Sequence, residues 1–352
     1  MEDKVLTICI PTYNRKLVLI SDIKRYLSLN DNRFSVKVND NCSSDGTIDE
    51  LRKIADSRLS FNVNSINLGG LINGTLSLIG ASSKYIIYLL DKDTIDTSVL
   101  SSFIDYLESN TPNFGFVDLS NKGERHIETY KAGKDAIIKV AYRSKHPSGF
   151  FWKTSLFEEE IKKDYIKIID PNFEFLFDLM AGSLASKFDA TIIYWPLIIN
   201  ANLRVTPIEE YKKSYTYNEA NIYFGIQQVR RAFCYYLSNL MSLGILADDK
   251  RVIAKQLTDN FLLKASISLK KCYSNDELCA HYNMKPRKVR FKEMVCNSSN
   301  IICAYLNICR GHLPILKCVF TALCLWVKSL LRIIYDYIKC IICGSDTNSF
   351  SV

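Results

Sequence analysis

Tyr85-Ile86-Ile87-Tyr88-Leu89-Leu90-Asp91-Lys92-Asp93 is the stretch around which the rest of the chain is organised. An unbroken apolar run with β-branched and aromatic members predicts a strand buried on both faces. The run stops at two carboxylates spaced i and i+2. In an extended chain that spacing puts Asp91 and Asp93 on the same side, just past the strand's carboxyl end. Paired carboxylates repel unless a cation stands between them and a ligand, and hard divalent ions prefer oxygen donors. The expectation is a metal–diphosphate clamp at a sheet edge. The plain alternative is a charged turn after a core strand.

Upstream, strand-like and helix-like segments alternate. Residues 5–10 read as a strand ended by Pro11-Thr12-Tyr13-Asn14-Arg15, followed by a helical pattern over 17–29. A strand over 34–38 ends in Asn39-Asp40-Asn41-Cys42-Ser43-Ser44-Asp45-Gly46-Thr47, a loop of turn formers before a helix at 48–55. A third strand over 59–63 leads through Asn67-Leu68-Gly69-Gly70 into a helix reaching about residue 81. Parallel neighbours need crossover connections, so the alternation predicts an α/β fold with a doubly wound, mostly parallel sheet. Ligands bind such sheets at the carboxyl ends of the strands. All four polar clusters sit at such ends.

Downstream, a helix is expected at 98–107 and a strand at 114–119, with residues 120–145 as a polar loop excursion over the site. His146-Pro147-Ser148-Gly149 turns into an aromatic strand, Phe150-Phe151-Trp152-Lys153. A helix over 171–186 would carry Glu174 and Asp178 on one face, four residues apart. A strand over 191–199 closes a first domain at about residue 205. Residues 206–312 read as a helical region, with amphipathic patterns at 223–243 and 250–270 and a basic cluster, Lys285 to Lys292, expected to be a solvated face. In residues 313–343 the charges Lys317, Lys328, Arg332, Asp336 and Lys339 form nearly one stripe on an otherwise apolar helix. The uncharged run 318–327 is too short to cross a bilayer, so a basic helix lying in a membrane interface is expected. The alternative is a helix packed on its own domain. Residues 344–352 read as a flexible tail.

Composition bounds the classes. The chain has 352 residues, 48% hydrophobic and 23% charged, enough for a folded protein with a sizeable core. A net charge of +8 suits anionic partners: nucleotide phosphates, acidic lipid head groups or nucleic acid. No nucleic-acid-binding module is recognisable, so nucleic acid is not expected. Twelve scattered cysteines without a framework suggest reduced thiols, and Cys340 and Cys343 lack the second pair of a zinc site. Met1-Glu2-Asp3-Lys4 leads straight into a strand, and the expectation is a cytosolic chain without a secretory leader.

Taken in order, Ile10 to Arg15, Asn39 to Thr47, Asn67-Leu68-Gly69 with Asn73, and Tyr85 to Asp93 resemble the motifs of family 2 glycosyltransferases of the GT-A fold. The resemblance covers residues 5–199 and is closest to the bacterial capsule and cell-surface polysaccharide branch. It implies an inverting transfer of a sugar from a nucleotide-sugar, UDP-linked by preference, to a glycan or polyprenol-linked glycan acceptor. Pro11, Thr12 and Tyr13 would line the nucleotide pocket, together with Arg15, Asn67, Gly69 and Asn73. Asp40 would accept a hydrogen bond from the base, and Asp91 would lie near the ribose. Asp93 would ligate a divalent metal, Mn2+ or Mg2+, with Asp91 and His146 as further candidates. The metal would stabilise charge on the leaving nucleoside diphosphate. A general base must take the acceptor proton. The Glu-Asp pair that family members carry is absent, which leaves Glu174, Asp178 and Asp170 as candidates. The implied location is peripheral on the inner face of the cell membrane, compatible with an oligomer. A nucleotidyltransferase would need a Gly-rich basic opening loop that is missing. An inactive GT-A domain serving as a membrane-bound assembly partner is the remaining alternative.

Overall fold

The first strand, β1 (Leu6–Thr12), is buried at every position. It pairs in parallel with β2 (Phe34–Asp40) and with β4 (Tyr85–Tyr88), and β2 pairs in parallel with β3 (Leu59–Val63). The crossovers carry α1 (Lys16–Leu27), α2 (Thr47–Arg52) and α3 (Gly70–Leu78). This is a computed structural model, describing residues 4–119, 125–161, 173, 175–199, 222, 224–282 and 284–343. Two compact units divide it: residues 1–171 with 175–215, and residues 172–174 with 216–352.

The first unit continues through β5 (Thr94–Ile95), α4 (Thr97–Asn110), β6 (Phe114–Val117), β7 (His126–Tyr130), α5 (Lys134–Val140) and β8 (Phe150–Lys153). After α6 (Thr154–Leu156) and a π-helical turn over Phe157–Ile161 come α7 (Leu176–Ala185), β9 (Ala190–Tyr194) and β10 (Ile198–Ile199). The eight-stranded sheet is mixed, in the order β3-β2-β1-β4-β8-β6-β9-β7, with helices flanking it. β8 runs antiparallel to both β4 and β6, and β7 antiparallel to β9. β5 and β10 form a separate two-stranded pair.

The aromatic strand β8 carries much of the core. Phe150, Phe151 and Trp152 are buried, with Phe150 stacked near-parallel on Trp152 and Phe151 edge-on to Phe103. Burying each such ring is worth about 1.5–3 kcal/mol over leaving it in water. Gly115 in β6 is required by close approach, because an added Cβ would lie 1.9 Å from the Thr191 carbonyl oxygen.

Several expectations change. The apolar run leaves the sheet at Tyr88, and Leu90 to Asp93 closes a turn through an Asp93 N–H donated to the Leu90 carbonyl. The i, i+2 geometry of an extended chain therefore does not apply to Asp91 and Asp93. Residues 120–145 are not only loop: β7 and α5 occupy 126–140, with β7 forming the sheet edge. The expected strand over 191–199 divides into β9 and β10, which belong to different sheets. The helix expected from 171 is described from Leu176.

The second unit is helical: α8 (Ile226–Ser242), α9 (Ala247–Leu263), a π-helical turn (Lys264–Ser268), α10 (Leu269–Tyr273), α11 (Asp276–His281), α12 (Phe291–Cys309) and α13 (Ile315–Cys343). The pattern expected over 250–270 is thus one helix interrupted by a π turn. Helix α13 matches the amphipathic segment of the sequence and has no Gly or Pro to break it. By length and composition, Ile315–Lys339 could cross a membrane, a property that core helices share.

Candidate active site

Parallel register sets the floor of the site. Thr12 of β1 lies opposite Asp40 of β2, and Asp40 lies opposite Val63 of β3, so the three strands end in one row. The chain leaves each strand under control of its neighbour. The Asn41 N–H donates to the Thr12 carbonyl, and the Asn64 N–H donates to the Asp40 carbonyl. Asn14 and Cys42, next in the two loops, adopt left-handed backbone with φ of 52° and 64°. Asp45 joins those loops, accepting the Lys16 N–H at the start of α1 and the Thr47 N–H at the start of α2, each within 3.0 Å. A carboxylate is favoured at these helix starts.

Asp40 is fully buried. Its Oδ2 accepts the Ser43 N–H at 2.8 Å, while Oδ1 has no hydrogen-bond partner among the described residues. A buried carboxylate oxygen left unbonded costs free energy unless a ligand supplies a donor.

Five asparagines pack around this carboxyl edge. Asn73 Oδ1 accepts from Asn39 Nδ2 at 2.8 Å and from Asn64 Nδ2 at 2.9 Å, and Asn73 Nδ2 donates to the Asn39 carbonyl at 3.1 Å. Asn64 Nδ2 also reaches Asn41 Oδ1, which accepts the Leu68 N–H, and Asn41 Nδ2 donates to Asn67 Oδ1. The network ties the ends of β2 and β3 to the start of α3. Of its members, Asn39, Asn41, Asn67 and Asn73 lie in stretches the sequence marks; Asn64 does not stand out until the side chains are seen to converge.

The two carboxylates after β4 point to different partners. Asp91 takes a hydrogen bond from Thr12 Oγ1 at 2.9 Å and an ion pair from Arg15 Nε at 3.4 Å. Burial pushes its carboxyl above the ordinary range, against the pull of Arg15, Thr12 and the Tyr13 N–H. Asp91 thus joins the loop after β1 to the turn after β4. Asp93 is buried and accepts from Ser148 Oγ, whose oxygen also accepts the Leu90 N–H at 3.0 Å. Gly149, at φ 98°, lets its N–H reach the Tyr88 carbonyl and bring this turn against β4. Ser148 escapes the sequence reading because nothing local marks it.

His146 Nε2 stands 3.5 Å from Asp93 Oδ2. Burial lowers the imidazole below its ordinary value, against the pull of Asp93, and so favours the neutral ring. The Ser148 N–H is aimed at Nδ1 at 3.3 Å, making Nδ1 the acceptor and leaving the ring proton on Nε2. In that tautomer Nε2 carries the proton, has no hydrogen-bond partner among the described residues, and offers a cation no lone pair. Among the described residues no three His, Cys, Asp or Glu side chains gather as a metal-binding group. Asp91, Asp93 and His146 therefore do not form a ready ligand set. The donor chemistry still suits Mg2+ or Mn2+ held by one carboxylate, Asp93, together with diphosphate oxygens and water.

Of the candidate bases, Asp170 and Glu174 lie outside the described residues. Asp178 is buried in α7 and accepts the N–H groups of Arg143 and Lys145, each at 3.0 Å. Both its oxygens hold the loop before β8. Lys145 in turn pairs with Asp118 at 2.9 Å.

Residues 7–175 match the family described as Glycosyl transferase family 2. No curated protein matches the chain in sequence. Among solved structures the chain is similar to S. aureus TarS, at 13% identity and TM-score 0.57 over 95% of this chain and 55% of that one. It therefore spans little more than half of the TarS chain. It is also similar to S. aureus TarS 1-349 in complex with UDP-GlcNAc, at 14% identity and TM-score 0.56 over 95% and 92% of the two chains. For TarS 1-349 in complex with UDP the values are 14% and 0.51, over 99% and 94%. At such identities the likeness is one of fold: a GT-A sheet followed by a helical region.

Proposed function

We propose that this chain, whose residues 7–175 are a family 2 glycosyltransferase domain, transfers a sugar with inversion from a UDP-linked donor to a hydroxyl of a growing cell-surface glycan. The observation that carries the donor assignment is the buried, unpartnered Oδ1 of Asp40. A uracil ring offers its N3–H as a donor, and a site built around such a contact discriminates against cytosine, whose N3 is an acceptor. The UDP and UDP-GlcNAc complexes of the structurally similar TarS support the same class of donor. Pro11, Thr12 and Tyr13 line the nucleotide pocket with Arg15, Asn67 and Gly69, and the Asn73 network keeps that edge rigid.

Asp93 would hold a divalent cation against the diphosphate, where the cation stabilises charge on the leaving group. Ser148 orients Asp93 for this, and the Nε2–H of His146 donates to a phosphate oxygen. Asp91 organises Arg15 and Thr12 on the nucleotide side. Acceptor deprotonation falls to Glu174 or Asp170, since Asp178 is engaged with backbone N–H groups. The acceptor is lipid-linked, and the protein works peripherally on the inner face of the cell membrane.

Calorimetric titration of the purified chain with UDP, GDP and CDP, with and without manganese, tests the reading. Tight binding of UDP that strengthens with manganese is expected. Equal affinity for the three nucleotides, or none, overturns the donor assignment. Binding of UDP-sugars without any hydrolysis or transfer would favour the inactive assembly partner instead.

A further inference from the structure

Helix α13 has two faces with different surroundings. Cys318, Ala322, Leu325, Ser329 and Ile333 recur at spacings of three and four and are buried within the helical unit. Ser329 meets Ser298 of α12 at 3.1 Å, and Trp326 Nε1 donates to Ser299. Three of the charges flanking this stripe pair within the helical unit. Lys328 and Arg332 both bind Asp259 of α9, at 2.6 and 2.9 Å, and Asp336 accepts from Lys270 at 2.8 Å. Lys328 and Arg332 therefore share a carboxylate of their own unit, while the Lys328 side chain stays 52% exposed. Trp326 is half-buried beside α12.

The opposite face is apolar and bare. Leu316, Phe320, Leu323, Val327, Leu331 and Tyr335 follow the same helical spacing, and Leu316 and Phe320 are 82% and 69% exposed. Such a continuous stripe on a helix of 29 residues, about 43 Å long at 1.5 Å per residue, marks an interaction surface. Its neighbour supplies the charge. In the loop before α12 and its first turn, Lys285, Lys288, Arg290 and Lys292 are exposed. That loop is anchored beside α13, because Val289 packs in one cluster with Ile333 and the Phe291 ring lies 5.4 Å from Tyr337. Glu293, the acidic group next to this loop, is bound by Arg287.

We propose that the outward face of α13 and the 285–292 segment, the loop before α12 with its first turn, form one docking surface for an anionic lipid bilayer. The helix lies in the interface, its apolar stripe at the acyl boundary and the loop cations on the head groups. Charge complementarity selects this occupant. A second protein copy would require only the apolar stripe, whereas the basic loop at its side matches an anionic plane. A spanning orientation would strip the Asp259 pairs from the buried side. The proposal rests on the membrane reading given above and specifies the surface that serves it.

Flotation of the full-length protein tests it, using phosphatidylcholine vesicles with and without phosphatidylglycerol. Three variants accompany the wild type: Lys288→Gln/Arg290→Gln/Lys292→Gln, Phe320→Ser/Leu323→Ser/Leu331→Ser, and a charge-matched control, Lys24→Gln/Lys53→Gln/Lys84→Gln. Each loop charge is expected to contribute about fivefold, so the loop variant should lose roughly a hundredfold in partitioning onto anionic vesicles. The apolar-face variant should lose binding to both vesicle types, while the control stays close to wild type. Flotation that is equally strong with and without the loop and apolar substitutions leaves the membrane reading standing and overturns this surface. Wild type that never floats overturns the membrane reading itself. An apolar-face variant that floats normally but changes from dimer to monomer in sedimentation assigns the face to a second copy and overturns the proposal. Loss of cooperative unfolding in that variant would mean that the face is packed, which overturns the proposal as well.

Discussion

Ser148 donates its hydroxyl to Oδ2 of Asp93, 55 residues away, while accepting the Leu90 N–H from the turn that presents that aspartate. The serine thus fixes the carboxylate assigned to the cation. Asp93→Asn should abolish most of the manganese-dependent gain in UDP affinity and leave the fold intact. Ser148→Ala should weaken that gain about fivefold, the worth of one hydrogen bond of ~1 kcal/mol. Calorimetry at matched manganese concentrations reads both. Wild-type manganese dependence in Asp93→Asn would move the cation elsewhere.

Asp40→Ala should weaken UDP binding roughly tenfold or more, because the base donor then enters the pocket without an acceptor, at a cost of ~1–3 kcal/mol. The same substitution should also narrow the preference for UDP over CDP. A variant that binds both nucleotides as the wild type does would place the base pocket away from β2.

Asn73→Ala removes an acceptor shared by Asn39 and Asn64. The orphaned amide hydrogens should lower stability by on the order of 1–3 kcal/mol. Urea unfolding measures this, and an unchanged midpoint would mean that water replaces the asparagine without loss.

Asp178 and the two other candidate bases should separate cleanly. Asp178→Asn should lower thermal stability, because one of two backbone N–H groups loses its acceptor. Either Glu174→Gln or Asp170→Asn should instead reduce transfer by ~10²–10⁴-fold with donor binding retained. Full turnover in both amide variants would place the base outside this segment.

Acid stability should depend on Asp31. Its carboxyl is held at about 2, below the ordinary 3.8, chiefly by the Arg33 side chain and against the effect of burial; the Arg33 N–H and Ser101 assist. The folded value is depressed, so the stabilisation is complete above the ordinary carboxylate range and is lost as pH falls through about 2. Asp31→Asn should cost on the order of 1–2 kcal/mol at neutral pH after allowing for screening. It should also flatten the acid limb of the stability curve between about pH 4 and 2. An unaltered acid limb would assign acid sensitivity to other carboxylates.

The amino-acid sequence alone determined the parallel strands β1 to β4, the polar clusters at their carboxyl ends and the continuity of α13. These features are written in local periodicity: apolar runs bounded by turn formers, and a three-to-four spacing without Gly or Pro. Tertiary structure decided where the side chains beyond those elements point. Asp91 and Asp93 part company because the chain closes a turn after Tyr88, so that Arg15 and Thr12 capture one and Ser148 the other. β7 was invisible as a strand because an edge strand with half-exposed residues lacks a strong apolar alternation. Lys328 and Arg332 read only as members of one charged stripe, yet Asp259, some seventy residues earlier, pairs with both. Spacing along one element fixes which face a charge occupies, but only the packing of other elements decides what that face meets.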